Sequence, residues 1–143
     1  MKRIIVYILL LVVLVIALFT GKYMDYKREK GIIKEYNLQY ESYLNKQILG
    51  TELTTFINIA VDNNERNKVL KDENGFYIQN DTTSIEIEVK ILDNDKTYKM
   101  ETLYNGGMTT FVSHYNAIYF ECINISYNNK GRVNYVLFEQ KTN

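Results

Sequence analysis

His114 and Cys122 are the residues of this 143-residue chain whose types suit nucleophilic catalysis, one imidazole and one thiol eight positions apart. A cysteine attacks as its thiolate, so it needs a neighbouring base or helix N-terminus to lower its pKa and a third group to orient that base. No such signature surrounds either residue, and the expectation is a buried structural thiol and a surface or helix-end histidine. Asp93-Asn94-Asp95 has the alternating oxygens that open a calcium loop. Such a loop also requires a central Gly and a terminal bidentate Glu, and Tyr98 and Tyr104 stand in those places, so a plain turn is expected. Asp62, Asn63, Asn64 and Glu65 are oxygen-rich as well, which the end of a helix accounts for. Glu86 and Glu88 lie on one side of a strand, as the charged outer faces of sheets commonly do. Asn80-Asp81-Thr82 and Asn124-Ile125-Ser126 fit the acceptor pattern for N-glycosylation. There is no phosphate-cradling glycine loop and no GxSxG, so no catalytic residue, cofactor or metal site is expected, and the reading is non-enzymatic.

Composition narrows the classes further. Seventeen Lys and Arg balance seventeen Asp and Glu, which leaves no electrostatic case for a nucleic-acid binder or a polybasic lipid reader. One Cys forms no intramolecular disulfide, and one His supports no histidine-rich zinc site.

The elements that must position these residues begin with a membrane segment. From Ile4 to Phe19 there is no charged side chain, with Lys2 and Arg3 before the run and Lys22 after it. Sixteen helical residues cover about 24 Å, the short end of a bilayer span, and Tyr23 and Met24 extend it into the interface. Residues 1–22 read as a retained single transmembrane helix, since Phe19 and its neighbours offer no small-x-small cleavage site. Residues 23–143 read as one soluble α+β domain. Lys2 and Arg3 stand against Lys22, Lys27, Arg28, Lys30 and Lys34 in the positive-inside count. The short, doubly basic N-terminal tail is that of a signal anchor, and on this ground the domain is expected outside the cytoplasm.

Within the domain, Ile33, Tyr36, Tyr40, Tyr43, Leu44 and Ile48 recur at three and four, predicting that the membrane helix continues over about 23–49. The tyrosines of this face, Tyr36, Tyr40 and Tyr43, either pack inward on the sheet or present a partner-facing stripe. Gly50 reads as the cap glycine ending that helix and Thr51 as the N-cap of a second one over about 52–64. Its apolar positions, Leu53, Phe56, Ile57, Ala60 and Val61, fall on one core-facing side.

From Val69 onward the period becomes two, predicting a small antiparallel sheet of four or five strands across about 69–143. Ile85, Ile87, Val89 and Ile91 alternate with charged residues in a half-buried strand over Ser84 to Leu92. Further strands are expected over Thr97 to Leu103, Ile118 to Tyr127 and Val133 to Phe138, with a short helix over Met108 to Tyr115. The apolar phase slips between Cys122 and Ile123, which suggests a bulge.

An apolar N-terminal helix running into an amphipathic one and then a small sheet is similar to the architecture of type IV pilins and pseudopilins. The stretch from Gly50 to Asn64, and the tail with Tyr104-Asn105-Gly106-Gly107 and Phe111 to Cys122, resemble segments of pilin-like membrane-anchored proteins of Gram-positive bacteria. That resemblance implies a pilin-like α+β fold and a structural or interaction role at the cell envelope. The expected partners are the lipid bilayer and either further copies of the chain or an envelope protein. The alternatives are an accessory subunit of a membrane secretion or envelope complex and a membrane-anchored ligand-binding sensor.

Overall fold

The computed structural model describes residues 2–142, which form two units divided between Glu35 and Tyr36. The N-terminal unit is helical over residues 2–35. Helix α1 spans Lys2–Glu41, and its last residues, from Tyr36, belong to the C-terminal unit. Every residue from Ile4 to Phe19 is exposed, so the apolar surface of this segment is not used for folding.

The C-terminal unit is α+β. After α1 come β1 (Gln47–Leu49), α2 (Gly50–Arg66), β2 (Glu86–Ile91), β3 (Lys96–Lys99), α3 (Met100–Asn105), α4 (Met108–Tyr115), β4 (Tyr119–Tyr127) and β5 (Val133–Gln140). The five strands form one sheet in the order β1-β4-β5-β2-β3. Three of the four pairings are antiparallel, but β2 and β5 run parallel, so the sheet is mixed where alternation alone suggested an antiparallel one. Chain alternation reports which face a side chain takes. It carries no information on the direction of the neighbouring strand.

On the covered face, Ile87, Val89 and Ile91 of β2 and Val136 and Phe138 of β5 meet Leu53, Phe56, Ile57 and Ala60 of α2 in one core. On the other face Lys99 pairs with Glu86 at 2.6 Å, Lys90 with Glu139 at 3.2 Å, and the Tyr135 hydroxyl donates to Glu88 at 2.8 Å. Glu86 and Glu88 are thus occupied in cross-strand contacts of an outer face. The slip in β4 is a register shift between Cys122 and Asn124, at the place where the apolar phase changes.

Several boundaries differ from the periodicity. Helix α1 stops at Glu41, and Gln47–Leu49 pairs with Tyr119–Glu121 as an edge strand. Asn45 takes φ of 59° between them, and its N–H donates to the Cys122 carbonyl. Gly50 is the first residue of α2. The helix is capped from Leu49, whose N–H donates to Glu52 at 3.0 Å, instead of from Thr51. The Thr97 to Leu103 stretch divides into β3 and α3.

Helix α2 runs two residues past Asn64 because Asn63 and Asn64 do not turn the chain. Asn64 is fully buried; its amide donates to the Ile85 carbonyl at 2.8 Å and its oxygen accepts the Ile85 N–H at 2.9 Å. Asn63 donates to the Thr83 carbonyl at 2.9 Å. The side chain of Asn64 therefore stands in for a neighbouring strand at the entry to β2. Replacing it leaves two buried main-chain groups unpaired, so Asn64→Ala is expected to destabilise the domain by about 2–4 kcal/mol in denaturant unfolding. A loss under about 0.5 kcal/mol, within the range of neutral surface changes, would show that the clamp is dispensable.

Candidate functional site

The tyrosine stripe and the ground around His114 are the two places where the fold brings polar and aromatic groups together. Tyr40 is 2% exposed, and Tyr36 and Tyr43 are half-buried. The rings of Tyr40 and Tyr43 stand edge-on to Phe56, at 5.3 and 5.0 Å between centroids, and Phe56 in turn meets Phe138 of β5. Edge-to-face geometry sets the positive rim of one ring on the negative face of the next, which favours this arrangement over a parallel sandwich. The stripe is thereby an inward-packing face. What it leaves at the surface is a shallow groove of about 300 Å3 bordered by Gln39, Ser42, Tyr43 and Ile59.

Tyr36 lies under the Arg132 guanidinium, 3.6 Å from the ring centre, a cation over the negative face of an aromatic. Arg132 also donates to the Thr82 carbonyl and to Asn63, so it ties this helix end to the loop before β2. Beside it Asn37 donates to the Gly131 carbonyl at 2.8 Å and accepts the Val133 N–H at 2.9 Å. The Tyr36 and Tyr40 hydroxyls are buried without a hydrogen-bond partner among the described residues. Burial raises both phenols above their ordinary value, because the anion is the form that loses most by leaving water.

The second place is a groove of about 340 Å3 between α3, α4 and the β2–β3 turn. Ile91, Leu103 and Phe111 form its apolar side, and Asn94, Tyr98, Thr102, Thr110, His114 and Tyr115 supply polar atoms. Asn94 donates to the Tyr98 hydroxyl at 2.7 Å, leaving the phenol proton free to be donated elsewhere. Burial raises the Tyr115 phenol, with the Asp93 carboxylate and Tyr98 adding to it. His114 is exposed on the last turn of α4, and its Nδ1 lies 2.8 Å from the Thr110 carbonyl. A carbonyl only accepts, so this contact requires a proton on Nδ1.

Gly50 sets the position of α4. A Cβ built there would lie 2.0 Å from the Tyr115 carbonyl oxygen, so the start of α2 and the end of α4 approach at a distance that only glycine permits. Periodicity assigned Gly50 to a helix cap; the signal for its actual role is a long-range contact that a single sequence does not carry.

Cys122 is fully buried in β4. Its Sγ points at the Asn124 carbonyl, 3.9 Å away, and burial pushes its thiol up to about 11. His114 is engaged within its own helix, so the fold does not join the two residues into a nucleophile and base. Asp93-Asn94-Asp95 lies in a single 3-10 turn closed by Asp95 at φ of 49°, with the Asn94 oxygen accepting the Lys96 N–H. The Asn80 oxygen accepts the N–H groups of Thr82, Thr83 and Ser84, an organised turn at the first of the two glycosylation tripeptides.

With this geometry in view, the comparisons are brief. No protein-family model, curated protein or solved structure matches the chain.

Three outcomes follow from the packing. Gly50→Ala is expected to cost about 3 kcal/mol, since main chain rather than a movable side chain blocks the new methyl; unchanged thermal stability would contradict the close approach. Tyr40→Phe removes a buried hydroxyl without a partner, so it is expected to leave stability unchanged or raise it by up to about 1 kcal/mol. A loss above about 1 kcal/mol would mean that the hydroxyl is bonded. The phenols raised by burial favour the folded state fully below about pH 10, their value in an unfolded chain, and that contribution is lost as the pH climbs through their folded values. Tyr77 is pushed up to about 12 by burial and by donating to Glu65, and burial raises Tyr36 and Tyr135 further still. Absorbance of tyrosinate should therefore rise in two stages, the second coinciding with loss of the folded circular dichroism signal; a single stage near pH 10 would contradict the burial.

Proposed function

We propose that this chain is a non-enzymatic, single-pass membrane protein whose α+β domain serves as a structural or interaction module at the cell envelope, outside the cytoplasm. One observation carries the membrane part of this reading. From Ile4 to Phe19 the helix is apolar around its whole circumference and exposed on every side. A continuous apolar surface of that kind needs a partner other than water, and a bilayer core matches both its length and its chemistry. Thr20, at the end of the run, supports it: its hydroxyl lies 3.0 Å from both the Ile16 and the Ala17 carbonyls. The polar atom is thus satisfied within the helix and tolerates an apolar neighbourhood.

A structural role accords with the way the polar groups of the domain are spent. Asn37, Asn63, Asn64 and Arg132 bind main-chain atoms, and Glu86 and Glu88 pair across strands, so these six polar side chains hold the chain to itself. A pilin-like role, with further copies of the chain as partner, is the finer form of this proposal; an accessory subunit of an envelope complex is the alternative. The groove beside His114, with its apolar side and its Tyr98 and Tyr115 hydroxyls, favours a second reading as a ligand-binding domain on the same anchor.

The chain is expected to float with vesicles, to resist alkaline carbonate extraction, and to lose its C-terminal domain to protease added to intact cells. Release by carbonate would sink the anchor, and protection from protease until the membrane is opened would place the domain inside. Chemical crosslinking in cells separates the finer readings, since a ladder of multiples indicates self-assembly and one discrete heavier band an accessory role.

A further inference from the structure

A net charge of zero averages over position, and on α1 the charges are sorted. At about 100° per residue, Lys22, Tyr26, Lys30, Tyr23, Lys34 and Lys27 fall, in angular order, within one arc of about 140°. Asp25, Glu29 and Glu35 occupy the complementary arc together with Arg28, whose guanidinium lies 3.8 Å from Asp25. All of these side chains are exposed, and the Lys30 ammonium stands over the Tyr26 ring at 5.7 Å, so lysine and tyrosine share one surface. The sign asymmetry is thus across the helix, where a whole-chain sum cannot register it.

We propose that this lysine and tyrosine face binds the headgroups of anionic phospholipids in the leaflet next to the apolar segment, an assignment that rests on the membrane-anchor reading. The occupant follows from position and charge together. Counting about 1.5 Å per residue, Lys22, Lys27 and Lys30 lie about 3, 10 and 15 Å beyond Thr20 along the axis. Side chains on a helix lean toward its N-terminus, which here is the direction of the apolar segment, and a lysine stem reaches back several ångströms along apolar surface. Lys22 and Lys27 thus bring their ammonium groups to headgroup level, and Lys30 comes within about one Debye length of it. Lys34, about 21 Å out, falls beyond that reach. Tyr23 and Tyr26 set rings with polar tips at the depth where such rings collect. The acidic arc repels the same headgroups, so the helix has one preferred side toward an anionic lipid. Each lysine near an anionic surface contributes about 1 kcal/mol, a factor of about five, which for two or three lysines is a preference of roughly thirtyfold or more over a neutral lipid.

The test is native mass spectrometry of the full chain released from detergent micelles with added phosphatidylglycerol or phosphatidylcholine, comparing the wild type with the double variant Lys27→Gln, Lys30→Gln. Both substitutions are exposed and belong to the N-terminal unit, so the domain fold is untouched. The wild type is expected to retain phosphatidylglycerol roughly thirtyfold or more over phosphatidylcholine, and the double variant to lose most of that preference. Equal retention of the two lipids by the wild type, or an unchanged preference in the variant, would overturn the assignment. Vesicle flotation separates this failure from that of the anchor. A chain that floats with neutral vesicles but shows no lipid preference loses only the headgroup face, whereas one that floats with neither lipid loses both.

Discussion

The grip of the last turns of α1 on the rest of the domain is the interaction from which the C-terminal unit is organised. Asn37 holds the Gly131 carbonyl and the Val133 N–H, Tyr36 lies under Arg132, and Tyr40 is buried edge-on to Phe56, which passes the contact to Phe138. Asn37 and Tyr36 hold the turn that leads into β5, and Tyr40 reaches α2 and, through Phe56, the sheet. Burying one tyrosine ring of this size stabilises the fold by a few kcal/mol, and Asn37 satisfies the Gly131 carbonyl and the Val133 N–H where the chain enters β5. The same helix that begins as an apolar segment therefore ends as part of the core.

A second polar clamp does for β2 what Asn37 does for β5. Asn64 meets both main-chain groups of Ile85, and the strand then runs on into its pairings with β3 and β5. Asparagine suits both positions because one amide supplies a donor and an acceptor about as far apart as those of a neighbouring peptide. Both clamps serve the scaffold, as do the ion pairs of the outer face. The groove beside His114 and the exposed lysine face of α1 are the two surfaces on which binding is most readily placed.

Much of this was legible in the residues. The alternation from Ile85 to Ile91 and the phase slip at Cys122 mark local events, and β2 and the bulge in β4 lie where they point. The short helix from Met108 to Tyr115 is likewise a local event. The end of α1 was not legible, because Tyr43, Leu44 and Ile48 keep a helical spacing while a partner 70 residues away, β4, draws Gln47–Leu49 into the sheet. A three-residue strand is too short for its own period to register. The same limit hid the parallel pairing of β5 with β2 and the reason for Gly50, both of which are decided by contacts between distant segments. For the tyrosines, spacing identified a face. Whether a core or a partner covers it depends on what α2 and β5 bring there. The sorted charges of α1 were in the sequence throughout, but only an unbroken helix over Lys22 to Lys34 turns their spacing into a surface.

The central claim, that the end of the long N-terminal helix is a working part of the domain core, is tested most directly by amide hydrogen exchange of the full chain in micelles or bilayers. Main-chain amides from Asn37 to Glu41 should exchange as slowly as those of Val136 to Phe138 in β5 and lose protection together with them in rising denaturant, as members of one cooperative unit. Exchange of Asn37 to Glu41 as fast as that of the exposed stretch from Lys22 to Lys34, with β5 still protected, would contradict the account.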